Sequence, residues 1–196
     1  GHYTPATHAL EGQATLRALR PDALHTLLAA APLSGRVTAQ TQGEAVRFSA
    51  DVRADTGTAA RAATTKTTAA AGAPLRINTF STQGTWQAAD GGTVRLDRLL
   101  LDALQARVEA TGLQVALGTQ SAQGKVTLAV PGATAQAQGT LAPRSGAGDL
   151  QVQWADAALT HRWLAGLPVA GATVQRALQG ASAQGTAQFT ARWKGG

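Results

Sequence analysis

Ala45-Val46-Arg47-Phe48-Ser49-Ala50-Asp51-Val52-Arg53-Ala54 sets Val46, Phe48, Ala50, Val52 and Ala54 on one side of an extended chain and Arg47, Ser49, Asp51 and Arg53 on the other. Successive side chains of a strand point to opposite faces, so this stretch predicts a strand with one dry and one wet face. The pattern returns along the chain. Leu104 to Ala110 sets Leu104, Ala106, Val108 and Ala110 against Gln105, Arg107 and Glu109. Leu113, Val115 and Leu117 follow, then Val126, Leu128 and Val130, then Leu150, Val152 and Trp154, and finally Ala187, Phe189, Ala191 and Trp193. Repeated alternation of this kind argues half-buried β-structure and a one-sided sheet.

Turn signals separate these runs: Gln42-Gly43, Gln83-Gly84, Asp90-Gly91-Gly92, Thr111-Gly112, Gln123-Gly124, Pro131-Gly132 and Pro143 to Gly148. Glycine supplies positive φ and proline presets the first turn residue, so each is expected to join two short strands at about 8–12-residue spacing. Gly43, Gly84 and Gly124 recur at nearly constant spacing, which hints at a repeat. Two short helices are expected. Pro21–Ala31 gathers Leu24, Leu27, Leu28 and Ala31 on one side behind a proline suited to a first helical turn. Asp156 can cap a second, running to about Gly166 with Leu159, Trp163 and Leu164 on its apolar side. Residues 21–54 and 156–194 therefore read as two helix-hairpin units, and 55–73, almost all Ala and Thr, as a loop or weak edge strands. Gly1-His2 reads as the remnant of a cleaved tag, residues 1–4 as a tail, and the whole as a piece of a longer chain, since it holds no methionine.

Composition limits the chemistry. The chain has 196 residues and is 44% hydrophobic but only 4% aromatic, with 22 glycines, which suits thin strand layers better than one thick core. No cysteine is present, which removes disulfides, thiol catalysis and cysteine-bearing metal sites. His2, His8, His25 and His161 show no metal-ligand spacing, and no serine sits in a nucleophile elbow. The net charge of +6 is spread singly or in loose pairs such as Arg95/Arg98, without the basic stripe and interleaved aromatics of a nucleic-acid surface. No cofactor, metal, nucleic acid or enzymatic reaction is therefore expected. Many inward positions are small, Ala133, Ala135, Ala137 and Gly139 among them. Either a second layer covers the dry face, or it leaves an apolar groove able to hold acyl chains.

Gly148 to Asp156, the helix ending His161-Arg162-Trp163-Leu164, Leu167-Pro168-Val169-Ala170-Gly171, Leu178-Gln179-Gly180 and Gly185 to Gly196 together resemble the periplasmic part of TamB-like proteins of the AsmA-like superfamily. The likeness extends through Pro21–Ala54 and Val94–Leu141, and so over most of 5–196. It implies a mostly β fold: a curled, elongated antiparallel sheet, a β-taco or trough, with two short helices. It further implies a periplasmic stretch of an inner-membrane-anchored protein that carries phospholipid acyl chains to the outer membrane beside a TamA-like barrel partner. The groove residues then expected are Val46, Phe48, Val52, Val94, Leu96, Leu104, Val108, Leu113, Val115, Leu117, Val126, Leu128, Val130, Leu150, Val152 and Phe189. Alternatives are a chaperone groove for outer-membrane barrel or autotransporter assembly, an adhesin-type β-solenoid, and an enzyme domain with a polar cleft.

Overall fold

A computed structural model of the chain describes residues 2–4, 9–23, 28–29, 31–55, 76–143, 145–167 and 184–195. It is mostly β, with eleven strands in one antiparallel sheet. They are β1 (His2–Thr4), β2 (Ala9–Leu19), β3 (Leu33–Gln42), β4 (Ala45–Ala54), β5 (Ile77–Gln87), β6 (Thr93–Ala103), β7 (Ala106–Ala116), β8 (Ser121–Val130), β9 (Ala133–Ala142), β10 (Ser145–Trp154) and β11 (Ala187–Lys194). Spatial order equals chain order, and β1 and β11 are the two margins, so the sheet is open. Among the described residues one α-helix occurs, α1, spanning Ala157–Ala165. Among the described residues no helix is long and apolar enough to cross a membrane.

The strands are longer than the sequence pattern suggests, because several glycines expected in turns lie inside strands. Gly84 sits in β5, Gly112 in β7 and Gly124 in β8, while Ser145–Gly148 opens β10. Genuine two-residue turns occur at Gly43-Glu44, Leu104-Gln105 and Pro131-Gly132. Leu104 and Gln105 have φ of 53° and 64°, the paired positive values of the hairpin turn whose twist matches its strands.

The in-strand irregularities have a common effect. Leu16 and Leu19 of β2 pair with Gly35 and Leu33, so β2 carries one extra residue. In β6, Arg98 and Leu96 pair with the adjacent Gln83 and Gly84, leaving Asp97 extra. In β7, Thr111 and Gln114 pair with Lys125 and Gln123, again with one residue over. At each site the apolar spacing changes from two to three: Leu16/Leu19, Leu96/Leu99, Ala110/Leu113. A bulge absorbs the extra residue and returns the next apolar side chain to the face it would otherwise leave.

Three glycines form a row across adjacent strands, Gly124 opposite Gly139 and Gly139 opposite Gly148, with Trp193 of β11 beside the last. Gly139 has φ of +146°, and a Cβ there would collide with the backbone of Ala147 and Gly148. At Gly124, φ +150°, a Cβ would stand 2.8 Å from the Leu113 Cα. Trp193 lays its ring over Gly148, the aromatic cover that a bare glycine in a sheet gains most from.

The expected helix over Pro21–Ala31 needs correction where the structure describes it: Pro21–Ala23 makes a single 3₁₀ turn and Leu28 lies in a β-bridge, while residues 24–27 and 30 lie outside the described residues. His2–Thr4 pairs with Ala9–Glu11 as β1. The Ala/Thr-rich stretch from 56 onward, and residues 168–183 of the second helix-hairpin unit, lie outside the described residues.

Alanine at Gly139 meets both a positive φ and the neighbouring backbone, and is expected to cost more than about 1 kcal/mol. Alanine at Gly12, where nothing lies within 4 Å, is expected to change stability little. Urea unfolding of the two variants checks the contrast.

Candidate functional site: the apolar face of the sheet

Pairing registers place apolar residues opposite one another from strand to strand. Leu16, Gly35, Val52, Phe80, Leu101, Val108, Leu128, Ala135, Val152 and Phe189 form one row from β2 to β11. No member is polar. At about 4.8 Å per strand the row extends roughly 40 Å. A parallel row runs Ala14, Val37, Ala50, Thr82, Leu99, Ala110, Val126, Ala137, Leu150 and Ala191, with Thr82 its single hydroxyl.

The face is dry in composition, and the described residues lay no second layer over it. The buried apolar residues, Leu33, Val52, Ala103, Ala110 and Ala133, all belong to it, yet only Ala110, at 2% exposure, approaches full burial. Among the described residues no large side chain is fully buried, while Trp86, Leu117, Leu141 and Phe189 are 39%, 54%, 61% and 50% exposed. The accessible surface of 13140 Å² is about one and a half times that of a compact monomer of similar size. A hollow of about 90 Å³ on this face lies over the glycine row, between Leu113, Ala122, Val126, Ala137, Leu141 and Trp193. A larger depression of about 940 Å³ shares the same glycines but is walled mostly by hydrophilic side chains, among them Gln123, Gln138, Asp149 and Arg192. At Gly124 and Gly139 the sheet presents bare backbone, while the Trp193 ring covers Gly148.

The opposite face is knitted together by polar contacts. Thr38 and Ser49 hydroxyls lie 2.7 Å apart, and the Gln123 amide donates to Gln114 at 3.1 Å. Arg107 meets Glu109 at 2.6 Å, Arg53 meets Asp51 at 3.2 Å and Arg192 meets Asp149 at 3.1 Å. These pairs are exposed, and each contributes at most about 1 kcal/mol. The Arg20 guanidinium hydrogen-bonds Asp22 and holds its carboxyl below the usual value. That contribution is present above the ordinary aspartate range and fades as pH falls through the lowered value. Among the described residues no three His, Asp or Glu side chains converge as metal ligands would.

Helix α1 follows β10 and is tied to the turns between β6 and β7 and between β8 and β9. Asp156 caps it as expected, accepting from the Leu159 N–H at 2.9 Å. Thr160, the buried polar residue, donates to the Pro131 carbonyl at 2.9 Å. The Trp163 indole N–H donates to the Leu104 carbonyl at 2.7 Å. Ala155 and Asp156 N–H groups both donate to the Gly132 carbonyl.

The structure brings the expected groove residues together with two exceptions. Leu104 is in a turn, not a strand, and its carbonyl anchors α1. Leu117 lies just past the end of β7, in the turn to β8, although its Cδ1 and the Trp86 indole nitrogen both come within 4 Å of where a Gly92 Cβ would stand. Val46, Phe48, Val52, Val94, Leu96, Val108, Leu113, Val115, Val126, Leu128, Val130, Leu150, Val152 and Phe189 share the face. Sequence reading missed Val37, Phe80, Leu99 and Leu101. Thr82 and Gly84 dilute the alternation of β5, and the run Leu99-Leu100-Leu101 hides it in β6. The three-residue step from Leu96 to Leu99 was the available signal.

No family model, curated protein or solved structure matches the chain.

Phenylalanine at Trp163 keeps a ring and deletes the N–H that holds Leu104. The expected loss is about 1 kcal/mol in unfolding free energy, the usual worth of one such bond. Chemical denaturation of Trp163→Phe beside the parent chain measures it.

Proposed function

We propose that this chain is a stretch of a periplasmic, TamB-like lipid-transfer scaffold. The sheet curls into a trough, and its apolar face carries phospholipid acyl chains between the inner and outer membranes, with a TamA-like barrel as partner. The observation that carries this reading is the row from Leu16 to Phe189, apolar in every strand it crosses. An apolar face this long, without a second layer of the described residues over it, is the kind of surface that marks a ligand or partner. Curling is supported by the bulges of β2, β6 and β7 and by the glycine kinks of β8 and β9, since bulges and kinks are how sheets are bent.

Physical chemistry suits a sliding cargo. Each methylene moved from water onto the face contributes roughly 0.8 kcal/mol or less, depending on how far it is covered. Because successive strands present similar side chains, the gain is similar at each step and no strand becomes a deep trap. Head groups stay in water, and no residue is asked to break a bond, so the role is not enzymatic. The chaperone alternative uses the same face for a different cargo. Antiparallel pairing of every strand with its chain neighbour speaks against the solenoid alternative, whose coils would pair in parallel.

Val108 and Leu128 face each other near the middle of the row. Val108→Arg or Leu128→Asp is expected to weaken binding of a fluorescent acyl-chain probe by more than about tenfold, because a charge beside the bound chain costs over 1.4 kcal/mol. Gln136→Arg, on the wet face, is expected to bind as the parent does. Native mass spectrometry of the purified parent is expected to show retained phospholipid. Equal loss in all three variants, or a parent free of lipid that also ignores the probe, would sink this reading.

A further inference from the structure

We propose that the margin of the sheet made by the β5–β6, β7–β8 and β9–β10 hairpins docks on a lipid surface through Trp86, Leu117 and Leu141. The two ends of the strands differ. The long connections, 20–32, 55–76 and 155–186, all leave from one end, where the strand-terminal residues Leu33, Ala103 and Ala133 are buried. The other end carries the short ones, 43–44, 88–92, 117–120 and 143–144, and there Trp86, Leu117 and Leu141 are exposed. These three belong to β5, β7 and β9 or the turns beside them, in the interior of the strand order. Their exposure therefore owes nothing to where the sheet begins or stops.

Pairing sets the exposed residues level. Val46, Trp86, Val94, Val115, Ala122 and Leu141 face one another from β4 to β9 on the dry side. Leu117 reaches beyond its end of β7 and meets the Trp86 indole over Gly92. Trp86 and Leu141 are four strands apart, roughly 19 Å at the usual strand spacing. Backbone groups here are bonded from within: the Leu117 N–H donates to the Gly92 carbonyl at 2.8 Å, Gly92 to Ala89 at 3.0 Å and Gln120 to Leu117 at 3.3 Å. Gly91 and Gly118 let these two turns touch, since a Cβ on either would collide with the backbone of the neighbouring turn. Peptide groups bonded in this way enter an apolar layer at far lower cost than unbonded ones.

The side chains suit the same place. The Trp86 indole N–H, unlike that of Trp163, meets no carbonyl among the described residues. A ring with an apolar body and a polar tip favours the boundary between hydrocarbon and water. The described residues of these turns carry two charges, Glu44 and Asp90, both acidic, so nothing in them draws an anionic surface and a zwitterionic one suits them. Three side chains also offer far less than the about 800 Å² per partner that a stable protein interface buries. Lipid insertion has no such threshold and scales with the apolar area immersed. The docking stands independently of what the face carries.

Vesicles of phosphatidylcholine test this. The parent chain is expected to float with them, and added anionic phosphatidylglycerol is expected to gain nothing once salt screens the net charge of +6. Leu117→Asp is expected to weaken the binding by more than about tenfold, the worth of one immersed leucine. The chain contains no cysteine, so a polarity-sensitive label on Leu117→Cys reports on this margin alone. Its emission is expected to shift to the blue when vesicles are added, and that of a label on Ala165→Cys, at the exposed end of α1, to stay unchanged. Absence of flotation, equal shifts of the two labels, flotation that requires anionic lipid, or a concentration-dependent dimer that Leu117→Asp abolishes overturns the proposal. If Leu117→Asp unfolds, the two labels decide. Flotation of a chain that ignores the soluble acyl probe supports the docking and defeats only the acyl-chain reading; probe binding without flotation does the reverse.

Discussion

A pleated sheet sends alternate side chains to opposite sides, so each break in a strand's alternation threatens to bring wet side chains onto the dry face. This protein meets such breaks with bulges. The extra residues in β2, β6 and β7 restore the phase at the points where apolar spacing lengthens from two to three. In β6 and β7 the two bulges stand side by side, Leu96 pairing with Leu113 and Arg98 with Thr111, so one irregularity accommodates the other. Without that phase correction the row from Leu16 to Phe189 would be cut in the middle.

A dry face over which the described residues lay no second layer has an energetic consequence. The apolar residues are mostly half-buried, so each draws only part of the stabilisation that a closed core supplies. Cohesion comes instead from the backbone ladder between consecutive strands, from cross-strand contacts on both faces, and from α1 bound to three turn carbonyls along one margin. Exposed ion pairs add little. Much of the apolar stabilisation is thus left to be gained by whatever covers the face, which makes binding and stability two sides of one surface.

Small residues divide the labour with large ones. Alanine and glycine dominate the face in β9, and the glycine row thins it to bare backbone. Valine, leucine and phenylalanine crowd β4 to β8. The face therefore changes depth along its length while remaining apolar.

The alternation of Val46 to Ala54 and its successors was enough to establish strand type, the one-sided character of the sheet and the identity of most residues on its dry face, because the period of two is a local property of extended backbone. The Asp156 cap was equally legible, since a cap and the N–H it serves lie within one turn. Other features depend on partners distant in sequence. Whether Gly84, Gly112 and Gly124 turn the chain or kink a strand depends on what lies opposite: Gly84 meets Leu96, Gly124 meets Gly139, and Gly112 falls in the bulge between Thr111 and Gln114, all aligned only once the strands pair. Pro21 opens a helical pattern, yet Pro21–Ala23 makes a 3₁₀ turn and Leu28 finds a bridge partner that its neighbours in sequence do not reveal. Leu104 and Leu117 continue an apolar alternation and still fall in turns, because strand ends are set by where both members of a pair run out. Local chemistry chose strands and their dry side; the pairing register, a sum of contacts between distant segments, chose how those strands join into one continuous face.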